Sequence, residues 1–93
     1  MKKEYEFNNN KYILEKDEHN AFDYDVVKEL FTDYFNDYDY VFGDISYNKL
    51  RLKGFCKKTN KKYNKTNNID DLDKYIVNYC AYNCKHFLLK KQK

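Results

Sequence analysis

Residues Lys49-Leu50-Arg51-Leu52-Lys53-Gly54-Phe55 alternate basic and apolar side chains with period two, and this pattern constrains the chain more than any other. A β-strand sends successive side chains to opposite faces, so Leu50 and Leu52 enter a core while Lys49, Arg51 and Lys53 share the other face. If that register is right, Leu52→Ala costs about 2–5 kcal/mol whereas Arg51→Ala barely changes stability. In a chain of 93 residues, a half-buried strand commits the fold to a sheet with a covered face, because so short a chain builds one core. Residues 1–93 are therefore expected to form a single domain, with no inter-domain catalytic cleft.

The remaining periodicities supply the layers. Phe22, Val27, Leu30, Phe31, Tyr34 and Phe35 fall at helical spacing, with Asn20 or Asp23 as the cap. Ile69, Leu72, Ile76 and Cys80 form a second helical stripe behind Asn68, flanked by Tyr75 and Tyr79. Strands are expected at residues 11–15, 38–42, 49–55 and 86–90, with an extra N-terminal strand at residues 5–7. Residues 43–48 would form a hairpin loop in which Gly43 and Asn48 supply positive φ. The order β-α-β-β-α-β predicts an α+β fold: a two-layer sandwich in which two helices cover one face of a mostly antiparallel sheet. Residues 57–67 read as a solvated basic loop.

Charge is divided along the chain. Residues 1–48 carry five lysines against twelve carboxylates, a net −7, whereas residues 49–93 carry thirteen lysine and arginine side chains against three aspartates, a net +10. Such asymmetry says more about partners than the overall +3 does. Lys, Asn, Tyr and Phe, residues of A/T-rich codons, are abundant, so a lysine is weak evidence for function and the lone Arg51 is stronger. Uncharged apolar runs such as Phe87-Leu88-Leu89 are too short to cross a membrane or act as a secretory signal. Three cysteines, an odd number, argue against a disulfide framework and for a reducing cytoplasm.

Three segments carry a family resemblance. They are residues 38–44 (YDYVFGD), residues 50–55 (LRLKGF) and residues 79–84 (YCAYNC) followed by Phe87-Leu88-Leu89-Lys90-Lys91. In order and spacing the chain resembles the YutD-like family of small cytosolic proteins of Gram-positive bacteria and their wall-less relatives, across roughly residues 22–91. The resemblance implies lineage and no particular activity. The family usually has Gly where this chain has Asn83; both residues take left-handed φ readily, which predicts that position 83 ends the second helix.

No reaction is written in the sequence. There is no nucleophile elbow, no phosphate-cradling glycine run and no metal-ligating carboxylate set, and neither His19 nor Asp44 has a catalytic frame around it. Cys56, Cys80, Cys84 and His86 could sum to a Cys₃His zinc site, but structural zinc draws its ligands from paired knuckles and only one close pair is present. The thiols read as small buried hydrophobes, and no cofactor is expected.

What remains is binding. Lys49, Arg51 and Lys53 stand about 6.5–7 Å apart on one strand face, near the phosphate spacing of a single strand. With Lys57, Lys58, Lys61 and Lys62 next in the chain and Tyr47 and Tyr63 as stacking surfaces, they point to RNA or a ribonucleoprotein. The competing reading is a protein partner, or a second copy in a weak homodimer, held by the acidic half through Asp33, Asp37, Asp39 and Asp44.

Overall fold

The computed structural model describes residues 3–79 and 85–92. Five strands, β1 (Glu4–Phe7), β2 (Asn10–Glu18), β3 (Tyr40–Ser46), β4 (Lys49–Phe55) and β5 (Lys85–Lys91), form one sheet in the order β1-β2-β5-β3-β4. Every neighbouring pair is antiparallel. β5 is thus inserted between β2 and β3, which are joined through helix α1 (Tyr24–Leu30) and a 3-10 turn at Asp33–Asp37. A second 3-10 turn (Ile69–Asp71) runs into helix α2 (Leu72–Tyr79) ahead of β5. The α+β class, the antiparallel sheet and the extra N-terminal strand all match the sequence expectation.

The helices are not on one face. Val27 and Phe31 pack with Val41, Phe87 and Leu89, whereas Leu72, Tyr75 and Ile76 pack with Phe42, Phe55 and Leu88. Consecutive residues Val41 and Phe42 belong to different clusters, so α1 and α2 cover opposite faces of the central strands. Strands buried on both faces read as continuous apolar runs instead of alternating ones. Tyr40-Val41-Phe42 and Phe87-Leu88-Leu89 carry that signature, while the alternation of β4 marks a strand at the sheet edge.

Local chemistry sets the element ends. The Asp23 carboxylate, and not Asn20, caps α1 by accepting from the Asp25 and Val26 amides at 3.1 and 3.4 Å. Asn68 caps the second helical segment as expected, accepting from the Asp70 amide at 3.0 Å. The first segment is shorter than its periodicity predicts, because α1 gives way at Phe31 (φ −81°, ψ 99°) to extended backbone before the 3-10 turn. Phe31 and Phe35 still reach the core from two separate pieces.

Candidate functional site

The β3–β4 hairpin closes through Tyr47 and Asn48, both left-handed with φ of 51° and 63°. A two-residue turn of this kind matches the twist of the strands it joins. Gly43 plays no part in it: it lies within β3 with no positive φ, and it is needed for space. A Cβ there would fall 2.1 Å from Cζ of Phe87, whose buried ring packs across the strand. Tyr47 is left at the tip with 97% of its surface exposed.

Arg51 is exposed but engaged by a partner within the chain. Opposite it on β3 stands Asp44, only 3% exposed. The guanidinium donates through Nε to Asp44 Oδ1 at 3.2 Å and through Nη2 to Oδ2, a two-pronged ion pair across the hairpin. His86 of β5 flanks Asp44 on the other side, half-buried, its ring 5.7 Å from that of Phe42. Lys53 is also occupied: its ammonium lies 5.5 Å from the ring centroids of both Phe55 and Tyr75. The face bearing Lys49, Arg51 and Lys53 is therefore the α2 side of the sheet. Of the three, Lys49 is exposed, Arg51 is paired with Asp44, and Lys53 is half-buried against α2.

The lysine-rich segment lies beyond the far end of β4, about 20–25 Å from Lys49 at ~3.3 Å per residue. It is ordered by asparagines. Asn60 and Asn64 accept through Oδ1 from the Lys62 and Thr66 amides, each at 2.8 Å, the local turns this side chain favours. Asn67, 4% exposed, accepts from the Asn64 amide at 2.8 Å and donates to the Lys62 carbonyl at 2.9 Å. The segment is anchored where the Cys56 amide donates to the Asn67 carbonyl at 2.8 Å and the Ile69 amide to the Cys56 carbonyl at 3.0 Å. Lys57, Lys58, Lys61 and Lys62 all project from it into solvent, whereas Tyr63 is half-buried. Discounting asparagine as a product of composition hid these residues; their two-residue spacing to bonded amides was the legible signal.

The expected acidic set divides in the same way. Asp33 and Asp37 are exposed on the 3-10 turn, but Asp44 is buried in its pair with Arg51. Asp39 is half-buried and accepts from the Lys57 amide at 2.8 Å and from Asn60 Nδ2 at 3.1 Å. Asp37, Asp39, Lys57 and Asn60 line a polar cleft of about 730 Å³, closed on its other side by Lys90 and Lys91. Its walls are tied to one another, with Asn60 donating to the Asp37 carbonyl at 2.9 Å and the Lys91 ammonium to the Asn36 carbonyl.

The outer side of α1 and the 3-10 turn is different. Val26 and Leu30 are each 43% exposed and Tyr34 is 66% exposed, while Asp25, Glu29, Asp33 and Asp37 are exposed around them. Tyr38 donates from its hydroxyl to that of Tyr34 at 3.0 Å, and this bond is the main reason its pKa is pushed up to about 12.

Cys56 is buried, and burial, reinforced by the Asp39 charge, pushes its thiol up, away from the reactive thiolate. Among the described residues no three His, Cys, Asp or Glu side chains converge to hold a metal ion. Cys80, Asn83 and Cys84 lie outside the described residues. Among the described residues no helix is long and apolar enough to cross a membrane.

A protein of Bacillus subtilis (strain 168) named "Putative antitoxin YutD" is 41% identical over 71 residues, covering 76% of this chain and 78% of that protein. The solution NMR structure of protein yutD from B. subtilis superposes with a TM-score of 0.80 at 34% identity, covering 98% of this chain and 83% of that one. The family model described as "Putative antitoxin YutD-like" matches residues 6–90, nearly the whole folded sheet with both helices. The chain belongs to the YutD-like family.

Proposed function

We propose that this chain is a non-catalytic cytoplasmic binding module whose partner is a protein, held by the outer side of α1 and the following 3-10 turn. The observation that carries this reading is the exposure of Val26, Leu30 and Tyr34 inside a frame of Asp25, Glu29, Asp33 and Asp37. Apolar anchors with an acidic rim suit a basic protein surface: burial supplies affinity and the rim supplies steering and orientation. The antitoxin named among the relatives supports the same reading, because an antitoxin acts by engaging another molecule and needs no reaction of its own.

RNA is the second reading, and it shifts from the strand to the loop. Arg51 and Lys53 are engaged by neighbours, which removes the strand face as its main support. What favours RNA is the ordered loop that holds Lys57, Lys58, Lys61 and Lys62 in solvent, a geometry suited to phosphate contacts.

The test is co-purification from native extract, with and without nuclease, using two variants. Val26→Asp with Leu30→Asp should abolish nuclease-resistant capture of a defined protein, while Lys58→Glu, Lys61→Glu and Lys62→Glu together should leave it intact. Capture that nuclease removes, and that only the lysine variant loses, would overturn the protein reading in favour of RNA.

A further inference from the structure

We infer that the polar cleft at the Asp39 end of the sheet is a binding site for a small phosphate monoester, whose phosphate is received by Lys57, Lys90 and Lys91. The site is separate from the outer side of α1 and does not depend on the reading given to that surface. Strand order places it. β4 and β5 flank β3, so the chain leaving β4 and the last residues of β5 lie about 10 Å apart across the start of β3, at ~4.8 Å per strand. Four-carbon lysine stems from the two sides span that gap.

Asp39 holds the frame together. Its carbonyl accepts from the Lys91 amide at 2.9 Å, and its carboxylate accepts through Oδ2 from the Lys57 amide at 2.8 Å and from Asn60 Nδ2 at 3.1 Å. Asn60 Nδ2 also donates to the Asp37 carbonyl at 2.9 Å, and the Gln92 amide donates to the Lys11 carbonyl at 2.7 Å. Backbone and carboxyamide groups thus fix the walls in advance, and a ligand loses less affinity to ordering in a site built this way.

This network leaves the ammonium groups unused. Among the described residues, neither Asp37 nor Asp39 forms an ion pair with any of the three lysines, although all five line the same cleft. The Lys57 and Lys90 ammonium groups have no hydrogen-bond or ion-pair partner among those residues. Lys91 donates to a neutral carbonyl, that of Asn36, and keeps its full charge. Lys90 is half-buried, where a cation is costly unless it faces water or an anion. The Asp39 charge is already met by two N–H donors and Asp37 is exposed, so three ammonium groups against two carboxylates favour an anion. A phosphate monoester carries about −1.5 to −2 charge and three acceptor oxygens, one for each lysine, which a carboxylate does not offer. At about 730 Å³ the cleft takes more than a bare ion. Gln92 suits sugar hydroxyls and Tyr38 supplies an aromatic wall.

The experiment titrates the isotope-labelled protein with ribose 5-phosphate and, separately, uridine monophosphate, with ribose and uridine as controls, and follows amide shifts by NMR. Salt is held at about 150 mM, which screens long-range attraction to surface lysines. Both phosphates should shift Asp39, Lys57, Asn60 and Lys91 saturably, and the controls should not. Tighter binding of uridine monophosphate places the base on Tyr38, and equal binding assigns a sugar phosphate; each supports the site. Lys57→Gln and Lys90→Gln remove ammonium groups that hold nothing in the fold, so the native spectrum should persist while ribose 5-phosphate weakens about two- to fivefold in each. Shifts centred on Lys58, Lys61 and Lys62, an equal response to ribose, undiminished binding by both variants, or displacement of ribose 5-phosphate by a 5′-hydroxyl oligouridylate would overturn the proposal. The Val26→Asp, Leu30→Asp variant should bind ribose 5-phosphate normally, which separates this outcome from that of the α1 surface.

Discussion

Arg51→Ala separates a structural role for the single arginine from a ligand-binding one. The Asp44 carboxylate is 5% exposed at its side chain and Arg51 is 51% exposed, so the pair is half in solvent. A fully exposed pair contributes about 0–1 kcal/mol. Removing one partner of a fully buried pair costs about 3–5 kcal/mol, because the remaining charge stays desolvated. The exposure of Arg51 places this case between those limits, and Arg51→Ala should destabilise by about 2 kcal/mol, a large share of the ~5–15 kcal/mol typical of a domain. That is well above the negligible effect expected from a solvent-facing strand residue. Denaturant unfolding of the wild type, Arg51→Ala, Asp44→Asn and the double variant completes the cycle, and a coupling of about 1–2 kcal/mol is expected. Arg51→Lys should recover only part of the loss, since an ammonium cannot present the two-pronged geometry. Additive single effects, or an Arg51→Ala protein as stable as wild type, would refute the structural role.

Gly43→Ala should cost about 3 kcal/mol, read by the same unfolding assay, because the new methyl meets the buried Phe87 ring. Tyr12 is fully buried and, among the described residues, its hydroxyl has no hydrogen-bond partner. Tyr12→Phe should therefore raise stability at neutral pH by about 1 kcal/mol. Burial also lifts the Tyr12 pKa from 10.0 to about 12. The unfolded chain consequently loses this proton first, so stability present below about pH 10 falls as pH rises toward 12, and Tyr12→Phe should flatten that alkaline decline. Asn67→Ala should cost about 1–3 kcal/mol by removing the two hydrogen bonds that the buried Asn67 side chain makes with the Asn64 amide and the Lys62 carbonyl. Hydrogen exchange should then report lost protection across residues 60–67 while the sheet core stays protected.

Local pattern was enough for much of the fold. The alternation at residues 49–55 set the limits of β4, the helical spacing and carboxyamide cap at Asn68 set the start of the second helical segment, and the residue order gave the α+β class. Each is a short-range property, written within a few residues of where it acts. The expectation that both helices cover one face of the sheet fails, although Tyr40-Val41-Phe42 and Phe87-Leu88-Leu89 carry the unbroken apolar runs of strands buried on both faces. The site was less legible. Lys57, Lys58, Lys61 and Lys62 are exposed as their charge implies, but the asparagines that hold their loop carry no expectation from the sequence, because abundant Asn marks no single position.

By itself the sequence determined the periodicities, the caps, the charge division and the lineage, because each depends on neighbours in the chain. Only the tertiary structure decided what the basic strand was for. Strand pairing brings Asp44 opposite Arg51, seven positions away in sequence, and helix packing brings Tyr75 over Lys53. A charge's role is set by what stands within a few ångströms of it, and for Arg51 and Lys53 those neighbours arrive only when the hairpin closes and α2 folds over the sheet.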